Sequence, residues 1–221
     1  LEEIVSQLPS RLAPITDISC IKMPVSTEVD NKQFKYFYTI SDSLRALCRH
    51  LRELAQNNIT RVYFLGGPGT GKTSLAYYFW LCRGKGNFIT VNLNSETTDD
   101  KAAMKSLLCG HVTGAFPGAQ SREGALSFAR DGVCFLDESH GVSGQVMQVL
   151  MECLENNQYL PYGATAKRAV DCAVLFASNR SWQTLRSLIH LDEHARLGAT
   201  VAKITDLAAR PEDMIAVMSA T

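Results

Sequence analysis

The sequence predicts an α/β fold, in which a parallel β-sheet carries helices on both faces. The first supporting observation is a set of short apolar runs, such as 133–136 and 172–176, which are typical of fully buried strands. The second is that the segments between them repeat apolar residues every three or four positions, as helices do. The third is a Gly-rich turn at 66–71 that joins one such strand to one such helix. Strands that alternate with helices in this way form a parallel sheet, because each helix carries the chain back to the same edge.

The individual elements follow from local signals. The first predicted helix, 41–57, begins at Ser41 and Asp42, whose side chains can cap it, and repeats apolar residues from Leu44 to Leu54. The β-rich run 61–65 predicts the next strand, and the helix at 72–82 starts where the Gly-rich turn ends. The same two patterns predict, in order, strand 88–91, helix 99–108, an irregular Gly-rich segment 110–119, helix 121–130, strand 133–136, helix 143–155, strand 172–176 and a last strand near 201–204.

Length and charge limit the possible classes of protein. The chain has 221 residues, of which 46% are apolar, so it can bury one sizeable core. Lys and Arg total 22, as do Asp and Glu, and this neutral balance argues against a nucleic-acid-coating protein or a polybasic membrane binder. No apolar run reaches the roughly 18 residues of a membrane helix, and no signal peptide is visible, so we expect a cytoplasmic protein without a membrane partner.

The first forty residues differ from the rest of the chain. They hold three of the seven prolines and a polar stretch at 26–33. We therefore expect a linker or the end of an upstream region at 1–40 and an α/β core at 41–206. The chain begins with Leu1 rather than Met, so we expect it to be part of a longer protein.

The Gly-rich turn matches a phosphate-binding loop at every fixed position. Residues 66–73 fit G-x-x-x-x-G-K-[ST], with a predicted strand before them and a predicted helix after them. The glycines let backbone N–H groups turn toward phosphate oxygens, and the helix directs its positive dipole end toward them. Lys72 is expected to reach the β and γ phosphates of ATP, and the Thr73 hydroxyl to bind Mg²⁺. The residues expected to contact the nucleotide are Gly66, Gly67, Pro68, Gly69, Thr70, Gly71, Lys72, Thr73 and Ser74.

Polar side chains follow two of the buried strands. Asp137 and Glu138 come directly after strand 133–136, at the end of the sheet where ligands bind in open α/β folds. We expect Asp137 to hold Mg²⁺ through water and Glu138 to polarise the attacking water, which predicts a P-loop ATPase. A pair of acidic residues in this place can also cap the next helix. Asn179 ends the strand that begins at 172, where it either positions the water and senses the γ-phosphate or simply forms a turn.

Beyond these motifs, residues 41–218 resemble the AAA+ ATPase domain of bacterial enhancer-binding proteins, the activators of sigma-54 RNA polymerase. The specific signal is the segment 108–119, Leu-Cys-Gly-His-Val-Thr-Gly-Ala-Phe-Pro-Gly-Ala, which is similar to the family's L-F-G-H-x-x-G-A-F-T-G-A. The segment 177–180 resembles the family's A-T-N-R, and 91–93 resembles its V-N-C. Residues 207–214 resemble the stretch that leads into the family's helical lid.

The resemblance implies several roles. It implies a ring, expected to be a hexamer, in which Asn92 holds Glu138 inactive until the γ-phosphate is read and Arg196 acts on a neighbour's nucleotide. It implies that 207–221 begin a helical lid that is mostly absent from this chain, and that DNA is bound by a domain outside it. The loop that would touch sigma-54 consists of Gly114, Ala115, Phe116, Pro117, Gly118 and Ala119.

Three positions depart from the family pattern, the mildest being Thr73, where the family often has Glu. Pro117 stands where the family has a Thr, so the loop lacks the hydroxyl used at sigma-54, and His190 replaces the first of two arginines. Two hypotheses follow: an ATP-driven remodeller of sigma-54 polymerase, or a nucleotide-responsive regulator of the same ancestry that no longer remodels it. Residues 190–194 also fit the zinc pattern H-x-x-E-H, although no third ligand is evident.

Overall fold

The computed structural model describes residues 19–21, 39–93, 101–139, 144–180 and 199–213. Within them, six strands form one sheet: β1 (Ser19–Ile21), β2 (Arg61–Leu65), β3 (Phe88–Asn92), β6 (Val133–Asp137), β9 (Ala173–Ser178) and β10 (Thr200–Lys203). Their order in the sheet is β1-β3-β6-β9-β2-β10. Five of these strands run parallel, and β1 pairs antiparallel with β3 at one edge.

Five helices lie between these strands in the described part of the chain, and their ends follow the local signals. They are α1 (Asp42–Gln56), α2 (Lys72–Arg83), α3 (Lys101–Cys109), α4 (Ala125–Phe128) and α5 (Gly144–Glu155). Ser41 caps α1, because its Oγ accepts a hydrogen bond from the backbone N–H of Leu44 at 3.4 Å. Gly84 ends α2 in the left-handed conformation, with φ of 68°.

Alternate side chains of the central strands face two separate apolar cores. Val62 and Phe64 of β2 pack on the side of α1 and α2. Tyr63 and Leu65 of the same strand pack on the opposite side, with α3, α4 and α5. This alternation lets a sheet whose strands are buried on both faces carry helices on each side, as the apolar runs predict. The α/β fold with a parallel sheet is thereby confirmed.

Two short hairpins project beside the sheet. β4 (Gly110–His111) pairs with β5 (Arg122–Glu123), and β7 (Gln158–Tyr159) pairs with β8 (Arg168–Ala169). The helix predicted at 121–130 is therefore shorter than expected, because β5 takes its first residues. A Cβ at Gly124 would lie 2.2 Å from the backbone N of Gly110, so only glycine permits this close approach.

No helix in the described residues is long and apolar enough to cross a membrane. Nor do those residues bring together three or more His, Cys, Asp or Glu side chains in an arrangement that could hold a metal ion. The zinc-like pattern at 190–194 lies outside the described residues.

Candidate active site

The predicted phosphate loop joins β2 to α2 at the carboxyl edge of the sheet. Gly69 and Gly71 have φ of 72° and 94°, a left-handed conformation that side-chain-bearing residues rarely adopt. A Cβ at either position would meet nothing within 4 Å, so the backbone conformation rather than space calls for glycine. Thr70 closes the loop by donating a hydrogen bond from Oγ1 to the Gly67 carbonyl at 2.9 Å. Thr73 and Ser74 lie half-buried in the first turn of α2.

Lys72 folds back over this loop. Its Nζ donates hydrogen bonds to the carbonyl oxygens of Gly66 and Gly67, at 2.9 Å and 2.8 Å. Partial burial lowers the pKa of the Lys72 ammonium, while the carboxylates of Asp137, Glu138 and Asp206 oppose that shift. Lys72 and the two predicted catalytic carboxylates lie at the same edge of the sheet, although β6, which ends at Asp137, is not adjacent to β2.

The segment after β6 has an unusual backbone. Glu138 adopts a left-handed conformation with φ of 52°, which costs a non-glycine residue about 1–3 kcal/mol. Its backbone N–H donates to Asp137 Oδ1 at 2.8 Å. Both side chains are half-buried at the open end of the sheet. The structure thus places the two carboxylates at the strand end, as the sequence predicts, and their catalytic roles stay a prediction.

The two predicted asparagines lie at the ends of the two strands that flank β6. Asn92 is the last residue of β3 and lies opposite Asp137 in the parallel register. Asn179 follows β9 directly and is exposed. The carbonyl of Ser178 accepts a hydrogen bond from Gly66 N at 3.3 Å, so the end of β9 adjoins the start of the phosphate loop. Arg196 lies outside the described residues, and its role, like the pairing of Asn92 with Glu138, stays a prediction.

Sequence reasoning missed a buried polar cluster behind the loop. Arg210 donates from Nε to the Thr205 carbonyl at 2.9 Å and from Nη2 to the Thr70 carbonyl at 3.4 Å. Its Nη1 pairs with Asp213 Oδ2 at 2.6 Å, and both side chains are almost fully buried. Asp206 lies outside this buried cluster: it is exposed, and its Oδ1 accepts a hydrogen bond from Gly67 N at 3.3 Å. The sequence predicted only the start of a lid near Arg210, because a contact between residues 140 positions apart leaves no periodic pattern in the sequence.

Asp213 links this cluster to the residues at the start of α1. Its Oδ1 accepts from the backbone N–H groups of Ile40 and Ser41 at 2.6 Å and 2.9 Å, and Oδ2 accepts from Ser41 Oγ at 2.8 Å. Burial alone would raise the pKa of Asp213, but the hydrogen bonds from Ser41, Ile40 and Arg210 outweigh it and hold this pKa well below its usual range. Asp213 is therefore a carboxylate at neutral pH that ties α1 to Arg210 and, through it, to the phosphate loop.

The segment 112–121 forms the tip of the β4–β5 hairpin. Gly114 and Gly118 have φ of 79° and 80°, and Gly114 N donates to the Ala119 carbonyl at 3.0 Å across the tip. Phe116 is 42% exposed, and its ring centroid lies 5.0 Å from that of His111. Pro117 is exposed at the turn beside it. The predicted partner loop is thus a closed turn that presents an aromatic ring.

The second hairpin, β7–β8, packs against this tip and supports it. His111 and Tyr162 form a parallel bridge, in which Tyr162 N donates to the Gly110 carbonyl at 2.8 Å and Val112 N donates to the Tyr162 carbonyl at 3.1 Å. The Tyr162 ring centroid lies 6.3 Å from that of Phe116. The segment 160–167 therefore contacts the base of the loop, a pairing that sequence reasoning did not predict.

Comparison with known proteins agrees with this architecture. The chain is 29% identical over 200 residues to the DNA-binding transcriptional regulator NtrC of Bradyrhizobium sp. (strain RP501 Parasponia), an alignment that covers 87% of this chain and 41% of that protein. It is 28% identical over 198 residues to the regulatory protein LuxO of Vibrio cholerae, covering 86% and 43%. The chain thus spans about two fifths of the length of these relatives.

Among solved structures, NtrX from Brucella abortus shares the fold, with a TM-score of 0.71 at 24% identity over 84% of this chain and 42% of that one. A more distant AAA+ protein, Hsp104, gives a TM-score of 0.59 at 16% identity. Residues 37–198 match the sigma-54 interaction domain, a span that includes the phosphate loop, the strand-end carboxylates and the braced hairpin. The chain therefore belongs to the sigma-54 interaction domain family of AAA+ proteins.

Proposed function

We propose that this chain binds ATP with Mg²⁺ and hydrolyses it. The observation that carries the proposal is that Lys72, after β2, and Asp137 and Glu138, at the end of β6, lie at the same edge of the parallel sheet, beside a loop in which Gly69 and Gly71 have left-handed conformations. NtrX from Brucella abortus, which shares the fold, has been solved in complex with ATP and with ADP. In this proposal Lys72 leaves the two loop carbonyls and contacts the β and γ phosphates.

The donor groups fit Mg²⁺. The Thr73 hydroxyl and the Asp137 carboxylate are hard oxygen ligands, and they stand on adjoining elements of the proposed nucleotide site. When bound, the ion supplies positive charge to the β and γ phosphates. Glu138 orients the attacking water, Asn179 senses the γ-phosphate, and Asn92 restrains Glu138 before that phosphate is read. Arg196 acts on the nucleotide of a neighbouring subunit in a ring, which we propose to be a hexamer.

We further propose that hydrolysis moves the 114–119 loop against sigma-54 RNA polymerase in the cytoplasm, with DNA bound through a domain outside this chain. Two features support this role: the exposed ring of Phe116, and the two glycines that flank it in open space. Glycine at these two positions gives the loop backbone more conformational freedom than any other residue would.

A second candidate function rests on Pro117. This residue offers neither the hydroxyl of a Thr nor a backbone N–H at the exposed turn, so the loop has fewer polar groups for a partner. In this candidate the protein responds to nucleotide and oligomerises as a transcription regulator without remodelling sigma-54 polymerase.

Two measurements test these proposals. Replacing Glu138 by Ala should leave equilibrium ATP binding intact and stop turnover, and unchanged turnover would reject its role. A sigma-54-dependent open-complex assay with the full-length protein separates the two candidates. Robust activation with Pro117 in place would reject the second candidate, and ATP turnover without activation would reject the first.

A further inference from the structure

Tyr63 and Ser139 form a buried hydroxyl pair beside Glu138. Their oxygens lie 2.6 Å apart, and both residues are 2% exposed. Ser139 Oγ donates its hydrogen to the carbonyl of Ala177 at 3.0 Å. A hydroxyl has only one hydrogen to donate, so Tyr63 must be the donor to Ser139. The result is a directed relay from Tyr63 through Ser139 to Ala177.

This relay spans three strands of the sheet. Tyr63 lies on β2 and Ala177 on β9, whereas Ser139 follows the end of β6. Since β9 separates β2 from β6, the Tyr63 ring extends across β9 to reach Ser139. There it stacks on Phe176, with ring centroids 5.6 Å apart and an interplanar angle of 11°. Packing therefore sets the direction in which the Tyr63 hydroxyl points.

The relay fixes Ser139 directly after a residue with an unfavourable backbone conformation. Glu138 is held at φ of 52° between Asp137, which accepts its N–H, and Ser139, which the relay fixes. A left-handed residue persists only where its surroundings over-determine it. If the Ser139 anchor is removed, the backbone of Glu138 is free to relax, and its carboxylate then changes direction.

We propose that Tyr63 and Ser139 are positioning residues that keep the Glu138 carboxylate aligned with the attacking water. This inference rests on the proposed ATPase function. It differs from a merely structural role, in which the relay would only satisfy two buried hydroxyl groups in the core. The carboxyl edge of β9 is part of the same relay, so the segment leading to Asn179 is tied to the segment carrying Glu138.

The test compares Tyr63→Phe and Ser139→Ala with a matched control, Tyr159→Phe, which removes a hydroxyl from another buried tyrosine of the same core. Steady-state ATP hydrolysis and equilibrium ATP binding are measured on the complete chain. We expect kcat to fall about tenfold in both relay variants, while KM and ATP affinity stay within about twofold and the control stays unchanged. The double variant should be no slower than the slower single variant, because both changes break one relay.

Several outcomes would overturn the inference. One is a kcat of Tyr63→Phe equal to that of the control, and another is a rise in KM with kcat unchanged. A loss of kcat that only matches a loss of folded protein, measured by circular dichroism in both relay variants, would also reject it. The wild-type chain and Glu138→Gln separate a failure of the proposed function from a failure of this inference. If the wild-type chain does not hydrolyse ATP, the proposed function fails. If Glu138→Gln turns over ATP at the wild-type rate, the role of Glu138 fails and the positioning role fails with it. If the wild-type chain hydrolyses ATP, Glu138→Gln is inactive and Tyr63→Phe is fully active, only the positioning role fails.

Discussion

Replacing Asp213 by Ala should destabilise the fold more than most single substitutions. The Asp213 carboxylate is 1% exposed and accepts hydrogen bonds from Ile40 N, Ser41 N and Ser41 Oγ. It also neutralises Arg210, which is 3% exposed and pairs with it at 2.6 Å. Removing one partner of a buried ion pair leaves the other charge uncompensated, which costs about 3–5 kcal/mol. We expect a loss of that size in the free energy of unfolding.

Urea unfolding followed by circular dichroism provides the measurement. Glu212→Ala is the matched control, because it removes the neighbouring carboxylate, which is only half-buried, and it should change stability by less than about 0.5 kcal/mol. If Asp213→Ala lost less than about 1 kcal/mol, the cluster would not hold α1 to the segment 205–213, and the reasoning would be wrong.

The stability of the fold at low pH should depend on the same Asp213 carboxylate. Hydrogen bonds hold the pKa of Asp213 well below its usual range, despite the opposing effect of burial. Its contribution to stability is therefore complete above the unfolded-state pKa of about 3.9 and is lost as pH falls through the lower folded-state value. An Asp213→Asn variant should be less stable at neutral pH and show a flatter decline below about pH 4 than the wild-type chain. Parallel declines would contradict this assignment.

Three further predictions follow from single sites. Gly132→Ala should cost about 3 kcal/mol or more in thermal unfolding, because its Cβ would lie 2.0 Å from the Asn87 carbonyl oxygen. Gly118→Ala is the comparison: its Cβ would meet nothing within 4 Å, so it adds only the backbone strain of φ at 80°. A cost for Gly132→Ala no greater than that of Gly118→Ala would contradict this packing. Lys72→Ala should weaken ATP binding by about tenfold or more in equilibrium titration without lowering the melting temperature, and wild-type affinity would remove Lys72 from the nucleotide site. Phe116→Ala should change the free energy of unfolding by less than about 1 kcal/mol, because the ring is 42% exposed. If the loop is the contact, the same variant should abolish sigma-54 open-complex formation. Retained activation would place the contact elsewhere.

The parallel sheet and the phosphate loop were predictable because their signals are local. Residues 133–137 form a strand that is nearly all apolar and is followed by charge, and the pattern at 66–73 has fixed spacing. Predicted and observed ends differ by only a residue or two for β2, β3, β6 and α2, since apolar burial and glycine conformation decide them.

The remaining features depend on contacts between distant parts of the chain. β4, β5, β7 and β8 have two residues each, too few for any alternation to appear in the sequence. The left-handed Glu138 could not be anticipated, because glutamate has no preference for that conformation. Likewise, the Tyr63 hydroxyl finds its partner 76 positions away, and nothing near Tyr63 indicates it.

The bridge between His111 and Tyr162 links the shape of the 114–119 loop to that of the second hairpin. A Cβ at Gly163 would lie 2.8 Å from the Cβ of Ala115, so even a small side chain in the second hairpin would push on the partner loop of the first. The shape of the loop proposed to contact sigma-54 therefore depends on two stretches of sequence, 112–121 and 160–167. Exchanging the 114–119 loop between relatives should transfer partner specificity only when the segment 160–167 is exchanged with it. Mutant libraries designed to change the partner therefore need to vary both stretches together.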